Sequence, residues 1–292
     1  MIIVLRDADF SANKLGTTNT GGTGSGSGSS GQGGVLLEYT TNAIAASGNT
    51  NLTSAQKNAL NNLFIALGAD GSKNIMSKMK YIYLPILCND VSKAMVNYAS
   101  SAFTVDKVLT SEYWTKRNNG IVALKAGQTM SLTDSTSING KNMSAFFLRT
   151  ELMVTATNDG IDAVVALRGK TDSGTFIGFG NASIASHTMV GLNSYPKDWS
   201  VNWGKDVDAV VTQYYCLSDS SFIGRTPNGD VSKSVSLEND LSSESTKTAY
   251  FNGINPNVNK AVGVIMLGEA LTKAEADNIA DRIDELYSAF AS

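Results

Sequence analysis

The chain has 292 residues, a formal net charge of −3 and 17% charged residues. Globular domains average roughly 25% charged residues, so Ser, Thr, Asn and Gly must supply much of the polar surface. The scattered lysines argue against a nucleic-acid partner, and no apolar run reaches the ~20 residues of a membrane-spanning helix. We therefore expect neither nucleic-acid binding nor membrane insertion.

A short apolar segment, residues 1–15, opens the chain. Its Ile-Ile-Val run predicts a β-strand, and the residues after Leu5 predict a turn. A lone strand gains a neighbour by adding to another protein's sheet, so we expect this segment to dock on a partner; folding back onto its own body is the alternative. The candidate docking residues are Ile2, Ile3, Val4, Leu5 and Phe10. The five apolar residues before Arg6 are too few for a secretory signal, so we expect synthesis in the cytoplasm.

Residues 16–34 are built almost wholly of Gly, Ser and Thr. Such a composition cannot bury enough apolar surface to offset the entropy of ordering it, which predicts a solvated tether. Its expected end-to-end distance is about 25 Å for a Gly-rich chain. A G-x-G-x-x-G spacing begins at Gly26, but more Gly and Ser precede it and the apolar run Val35-Leu36-Leu37 follows it, so a dinucleotide loop is disfavoured. An ordered groove in a larger assembly is the alternative to the tether.

Residues 35–110 are predicted to hold a helix and a strand ahead of the main β region. Thr53 and Gln56 have the spacing of a capping box, and Gly68 is the expected end of that helix. The apolar residues on one face of it are Leu60, Leu63, Phe64 and Leu67. The run 81–88 predicts a strand, in which Pro85 indicates an edge or a bulge.

Residues 111–292 contain one short strand pattern after another, separated by turn residues. The predicted strands are 145–155, 163–167, 176–180, 188–192, 207–216, 222–225, 231–235, 250–252 and 261–267. The runs 158–160 and 228–230 carry Asn, Asp and Gly, which tolerate the positive φ of tight hairpins. This pattern predicts a mainly β fold, an antiparallel β-sandwich.

A second capping box, Thr272 to Glu275, begins a predicted C-terminal helix. Its apolar stripe has helical spacing: Ala276, Ile279, Ala280, Ile283, Leu286, Tyr287 and Phe290. Such a stripe predicts docking against a core. The two cysteines, Cys88 and Cys216, have no C-x-x-C spacing, so we expect two buried free thiols. Trp114 is expected in the core or at an interface.

The C-terminal half resembles a known fold family. The strand 261–267, the Leu-Thr-Lys-Ala-Glu run that ends at Glu275 and the following helix are similar to the closing strand and helix of concanavalin-like, laminin-G-like jelly-roll domains. The hairpin that contains Phe222 and Gly229 is similar to the central hairpin of that fold. The resemblance implies a jelly-roll sandwich over residues 111–292, with a few peripheral helices.

The layout of the whole chain resembles virion proteins of tailed bacteriophages that infect gut bacteria. It runs from the Ile-Ile-Val-Leu-Arg-Asp-Ala-Asp-Phe start through the tether, the Leu-Thr-x-Ala-Gln helix and the Tyr-Leu-Pro strand to the sandwich. The resemblance implies a fibre or appendage subunit of the virion, docked on other virion proteins, with the sandwich facing outward. Homotrimers are common among such proteins. A capsid or tail decoration protein without a ligand is the rival.

The run 195–206 is the best candidate for ligand binding. Sugar-binding surfaces combine aromatic faces with Asn, Asp and Gly, and this run has that mixture. The candidate glycan-binding residues are Tyr195, Asp198, Trp199, Asn202 and Trp203. In the alternative, the two tryptophans pin the loop to the sandwich or fill a subunit interface. Host surface glycans are the expected ligand.

The sequence contains no pattern typical of catalysis. Retaining glycan hydrolysis needs two carboxyl groups about 5–5.5 Å apart, whereas Glu151 stands alone in its strand. His187 is the only histidine, which disfavours a catalytic triad or a zinc site, although calcium at Asp206 and Asp208 stays an alternative. We expect no enzymatic activity, no metal and no cofactor. A glycan hydrolase or a lectin of concanavalin-like fold is the rival from another class.

Overall fold

A computed structural model describes residues 35–125, 128–139, 143–150, 161–169, 176–182, 187–192, 212–218, 221–226, 229–234, 241–251 and 261–291. The helices are α1 (Glu38–Ser47), α2 (Ser54–Leu67) and α3 (Lys273–Ala291), with short 3-10 turns at Met76–Lys78 and Val91–Lys93. The strands are β1 (Met79–Tyr83), β2 (Trp114–Arg117), β3 (Gly120–Ala123), β4 (Met130–Asp134), β5 (Met143–Thr150), β6 (Ile161–Gly169), β7 (Phe176–Ala182), β8 (His187–Leu192), β9 (Tyr214–Leu217), β10 (Ser221–Thr226), β11 (Gly229–Ser234), β12 (Lys247–Phe251) and β13 (Val262–Glu269).

Two antiparallel sheets carry the fold. The larger sheet has the order β11-β10-β9-β5-β13-β3-β2, with β1 paired to β13 as its eighth strand. The smaller sheet has the order β4-β12-β6-β7-β8. Strands far apart in sequence are neighbours in both sheets, because the chain crosses between the sheets several times. The predicted antiparallel β-sandwich with peripheral helices and a C-terminal helix is confirmed.

Both predicted capping boxes are present. The Gln56 amide N–H donates to Thr53 Oγ1 over 3.2 Å, and the Thr53 amide donates to Gln56 Oε1 over 2.9 Å. Thr272 and Glu275 form the equivalent pair of bonds at the start of α3. Gly68 ends α2 with φ of 86°, where a side chain would also collide with the Lys73 carbonyl. Helix boundaries are therefore set locally, by residues that satisfy terminal N–H and C=O groups.

The α3 stripe is buried as predicted, apart from its half-buried last member, Phe290. At Gly263 of β13 the helix packs closely on the sheet, because a Cβ there would overlap the hydroxyl of Tyr287. That hydroxyl instead donates to the Asn119 carbonyl over 2.9 Å. No helix in the described part of the chain is long and apolar enough to cross a membrane.

Two predictions about the first half of the chain need correction or extension. The strand predicted over 81–88 ends at Tyr83, because Leu87 and Cys88 bond back to the Leu84 and Pro85 carbonyls in turns. Helix α1 and strands β2 to β4 are additional elements that the sequence patterns did not indicate. Strand β1, from the segment 35–110, pairs with β13 of the segment 111–292. The domain boundaries themselves stay predictions.

The apolar side chains form two cores on either side of the larger sheet. The inter-sheet core contains Trp114, Ile121, Leu167, Phe222 and Phe251 among others. The helix-facing core joins α1, α2 and α3 to the outer face of the larger sheet. Both cysteines are buried free thiols, as expected. The molecule therefore has three layers: helices, larger sheet, smaller sheet.

The sheet edges differ in their protection. At β4, an edge strand, Lys107 Nζ donates to the Thr129 and Ser131 carbonyls, each over 3.3 Å. In the larger sheet, by contrast, the edge strand β11 is exposed at nearly every residue. The β10–β11 hairpin closes between Thr226 and Gly229, whose φ of 114° fits the turn predicted there.

Candidate functional site

The outer face of the smaller sheet carries an aromatic ring beside several hydroxyl groups. In β12, Lys247, Ala249 and Phe251 are buried, whereas the alternate residues Thr248 and Tyr250 are half-buried and face outward. The register sets Tyr250 opposite Ser131 and Thr248 opposite Thr133 on β4. We call these four residues the polar face: Ser131, Thr133, Thr248 and Tyr250. A ring flanked by hydroxyl donors and acceptors suits a sugar ligand.

The predicted glycan-binding run lies in the connection from β8 to β9. Strand β8 is the edge of the smaller sheet, three strands from β12, which is about 14 Å at normal strand spacing. The far end of the connection is fixed at Thr212, whose amide and hydroxyl both donate to Asp284 Oδ1 over 2.7 Å. The connection therefore begins on the sheet that bears the polar face and ends beside α3.

All ten site residues predicted from the sequence lie outside the described residues. These are the docking residues Ile2, Ile3, Val4, Leu5 and Phe10 and the glycan candidates Tyr195, Asp198, Trp199, Asn202 and Trp203. Their roles stay predictions. Glu151, Asp206 and Asp208 also lie outside, and His187 begins β8. Among the described residues, no group of three His, Cys, Asp or Glu side chains is placed to hold a metal ion.

The N-terminal end of the described body lies on the helix side. Leu36 and Leu37 pack against the helix-facing core, and the Leu37 amide donates to Asn61 Oδ1 of α2 over 2.8 Å. Val35, the residue that follows the predicted tether, is 97% exposed. Val35 therefore lies at the helical layer, on the opposite side of the sandwich from the polar face.

A partly exposed ionic cluster, the α3 network, fastens α3 to the hairpin β10–β11. Arg225 bonds Asp281 over 2.7 Å and Asp277 over 3.1 Å, and Lys273 bonds Asp277 and Asp230 over 2.6 and 2.7 Å. Burial alone would raise the pKa of Asp277, but the bonds from Lys273 and from the Tyr214 hydroxyl outweigh it and lower that pKa. The apolar stripe in the sequence indicated which residues of α3 are buried, but it did not indicate these ionic partners.

A second ionic site, the buried pair, lies between the sheets. Lys247 Nζ is 3.5 Å from Asp134 Oδ2, and the two side chains are 2% and 0% exposed. The Tyr81 hydroxyl donates to Asp134 Oδ1 over 2.7 Å. Burial, followed by the bond to Asp134, raises the pKa of Tyr81. No local sequence pattern indicated this pair, because its partners come from strands far apart in the chain.

Comparison with known proteins adds one structural similarity. No protein-family model matches the chain, and no curated protein matches it. Among solved structures, the chain is similar to domain 4 of AbnA, a GH43 extracellular arabinanase from Geobacillus stearothermophilus, in complex with arabinotriose. The TM-score is 0.46 at 15% identity, over 70% of this chain and 98% of that chain.

Proposed function

We propose that this chain is a structural subunit of a tailed-bacteriophage particle, a fibre or appendage protein docked through residues 1–15. The observation that carries the proposal is the opposition of two surfaces. The chain reaches the body at the exposed Val35 on the helical layer, and the polar face lies on the far sheet. With normal layer spacings of about 10 Å, roughly 20 Å separate the helix axes from the smaller sheet. A body anchored at one side presents its polar face away from the anchor.

The proposed ligand of the outward side is a host surface glycan. Tyr250 and its neighbouring hydroxyls offer one apolar ring face and several hydrogen-bonding groups. A shallow sheet face gives weak binding at a single site, so oligomerisation is part of the proposal. Linked sites gain roughly 10²–10⁴ in avidity without any new contact. A homotrimer on a particle would supply such linkage.

Glycan binding is tested with the full chain on immobilised host-surface polysaccharide. We expect Tyr250→Ala to weaken binding at least tenfold, and Trp199→Ala and Trp203→Ala to weaken it as well. Tyr113→Ala is the matched control, because that tyrosine lies next to β2 of the other sheet. A wild-type oligomer that binds no polysaccharide would support the ligand-free decoration protein instead. Release of sugar fragments, abolished by Glu151→Gln, would support the hydrolase.

Particle docking is tested by deleting residues 1–34. We expect the truncated chain to stay folded and soluble, with unchanged circular dichroism, while its incorporation into particles is lost. Misfolding of the truncated body would mean that the head belongs to its own sheet. Mass determination by light scattering tests the predicted homotrimer.

A further inference from the structure

The buried pair brings an amine and a carboxyl group together without solvent. Lys247 and Asp134 are directly opposite each other on β12 and β4, with Nζ 3.5 Å from Oδ2. Burying two separate charges costs several kcal/mol for each ion. Transfer of one proton from Nζ to the carboxylate removes both charges. This neutral form of the pair is the form that can react, because its free amine is a nucleophile and its carboxylic acid is an electrophile.

The two oxygens of the Asp134 carboxyl group have different partners. Oδ1 accepts from the Tyr81 hydroxyl over 2.7 Å and from the Thr136 amide N–H over 3.3 Å. Oδ2 accepts from the Thr136 hydroxyl over 3.0 Å and is the oxygen nearest to Lys247 Nζ. Fixed donors on one oxygen stabilise negative charge that develops there during attack at the carbon. A hydroxyl on the other oxygen assists its departure.

We propose that Lys247 and Asp134 condense to an amide, an isopeptide cross-link between β12 and β4. The lone pair on Nζ attacks Cγ of Asp134, and Oδ1 takes the negative charge in the tetrahedral intermediate. The Cγ–Oδ2 bond then breaks, and Oδ2 leaves as water with the carboxyl proton and one proton from the amine. One C–N bond forms and one C–O bond breaks, so the step needs no oxidant or reductant.

The surroundings of Lys247 suit both the reactant and the product. Nζ donates to the Thr136 carbonyl over 2.7 Å. That bond orients the amine before attack, and the amide N–H formed from Nζ retains a hydrogen to donate to the same carbonyl. In this reaction Tyr81 and Thr136 are catalytic residues, since both contact the reacting carboxyl group. The product joins two strands that lie more than one hundred residues apart in sequence.

Intact-mass spectrometry of the purified, denatured full chain tests the cross-link. We expect a mass one water molecule below the sequence mass, with Lys247→Arg and Asp134→Ala at the full mass. Proteolytic mapping of the wild type should give one branched peptide that contains both residues, so the result does not depend on whether a variant folds. A wild-type chain that keeps its full mass after prolonged native incubation would overturn the proposal.

A second route to water loss needs a control. Asp70 precedes Gly71 and Asp159 precedes Gly160, and such pairs can cyclise to a succinimide, which hydroxylamine cleaves. Water loss that persists in Lys247→Arg, or that maps to Asp70 or Asp159, would overturn the cross-link. Loss that resists hydroxylamine and maps to Lys247 supports it.

The role of Tyr81 is tested by the rate of mass loss after cell-free synthesis. Removal of one donor from a developing oxyanion slows comparable reactions by about 10²-fold or more, and we expect this for Tyr81→Phe. Tyr39→Phe is the matched control, because its hydroxyl also donates a hydrogen bond, but to the Tyr98 carbonyl in the helical layer; its rate should equal that of the wild type. Equal rates for Tyr81→Phe and wild type would overturn the assignment of Tyr81.

Discussion

The buried pair and the α3 network join the same kinds of side chain in opposite surroundings. In the pair, both partners are at most 2% exposed and one lysine meets one aspartate. In the network, exposures run from 20% for Arg225 to 57% for Asp281, and each cation meets two carboxylates. Water therefore screens the network and not the pair. The same charge chemistry supports strand register at the buried pair and helix docking at the α3 network.

The two sites show separately what it costs to remove a charge from water and what its pairing with an opposite charge contributes. Inside the sandwich, each charge depends on its partner and on fixed hydrogen bonds, because water cannot replace them. At the surface, a lost partner is replaced by solvent, and exposed pairs contribute only about 0.2–1 kcal/mol each. Variants at the two sites should therefore differ severalfold in their effect on stability.

The largest effect is expected for Lys247→Met. This change leaves the Asp134 carboxyl group buried without its cation, which typically costs about 3–5 kcal/mol, and it also prevents the proposed cross-link. Urea unfolding of the full chain measures the loss. Lys125→Met is the control, because Lys125 is 60% exposed and its ion-pair distance is 3.9 Å. The double variant Lys247→Met/Asp134→Leu should be more stable than Lys247→Met, and equal stabilities would contradict the desolvation argument.

A smaller effect is expected for Arg225→Met. Its guanidinium holds Asp277 and Asp281 and lies 5.8 Å from the centre of the Tyr214 ring. We expect a loss of about 1 kcal/mol, discounted for partial exposure. Arg282→Met on the same helix is the matched control, since its guanidinium pairs with Glu285, which lies outside the α3 network. A loss as large as that of Lys247→Met would remove the distinction between the two sites.

Acidification should destabilise the protein through the α3 network by as much as Arg225→Met does, or by less. The pKa of Asp277 is lower in the folded protein than in the unfolded chain. Its contribution is therefore complete above the ordinary aspartate pKa, about 3.9, and is lost as pH falls through the lower folded value. Unfolding free energy measured from pH 5 downward should fall less steeply in Arg225→Met than in the wild type. Parallel slopes would disagree with this assignment.

The smallest effect is expected for Lys273→Met, at or below 0.5 kcal/mol. Lys273 is 43% exposed, and its partner Asp230 is 52% exposed, so salt screens this part of the network. The difference from wild type should vanish near 1 M NaCl, where the Debye length is about 3 Å. The effect of Lys247→Met should persist in the same salt. A common salt dependence would show that solvent reaches both sites.

Elements with a complete local signal could be predicted from the sequence. Both long helices, α2 and α3, were predicted from the capping residues Thr53 and Thr272 and from the α3 stripe. Caps and stripes are local signals, because each depends on neighbours within one or two helical turns. Helix α1 lacks such a signal: no side chain caps its N-terminal end at Leu37. The short strands β2, β3 and β4 likewise show too few alternating residues for a pattern.

The sites depend on long-range pairing, which explains why sequence patterns missed them. Lys247 donates to a carbonyl 111 residues away, and Tyr214 reaches Asp277 across 63. Thr248 and Tyr250 alternate with buried residues, so their outward direction could have been read from the sequence once β12 was assigned to start at Lys247. What covers the opposite face of a strand is decided only when the sheets assemble.

The position of Lys107 has a consequence for crowded assemblies. Its ammonium group occupies two carbonyls along β4, so an incoming strand would have to displace a charged side chain before it could hydrogen-bond there. This contact disfavours polymerisation of crowded copies through the rim of the smaller sheet that β4 forms. Replacing this one lysine with a shorter neutral residue would open that rim to strand exchange and aggregation.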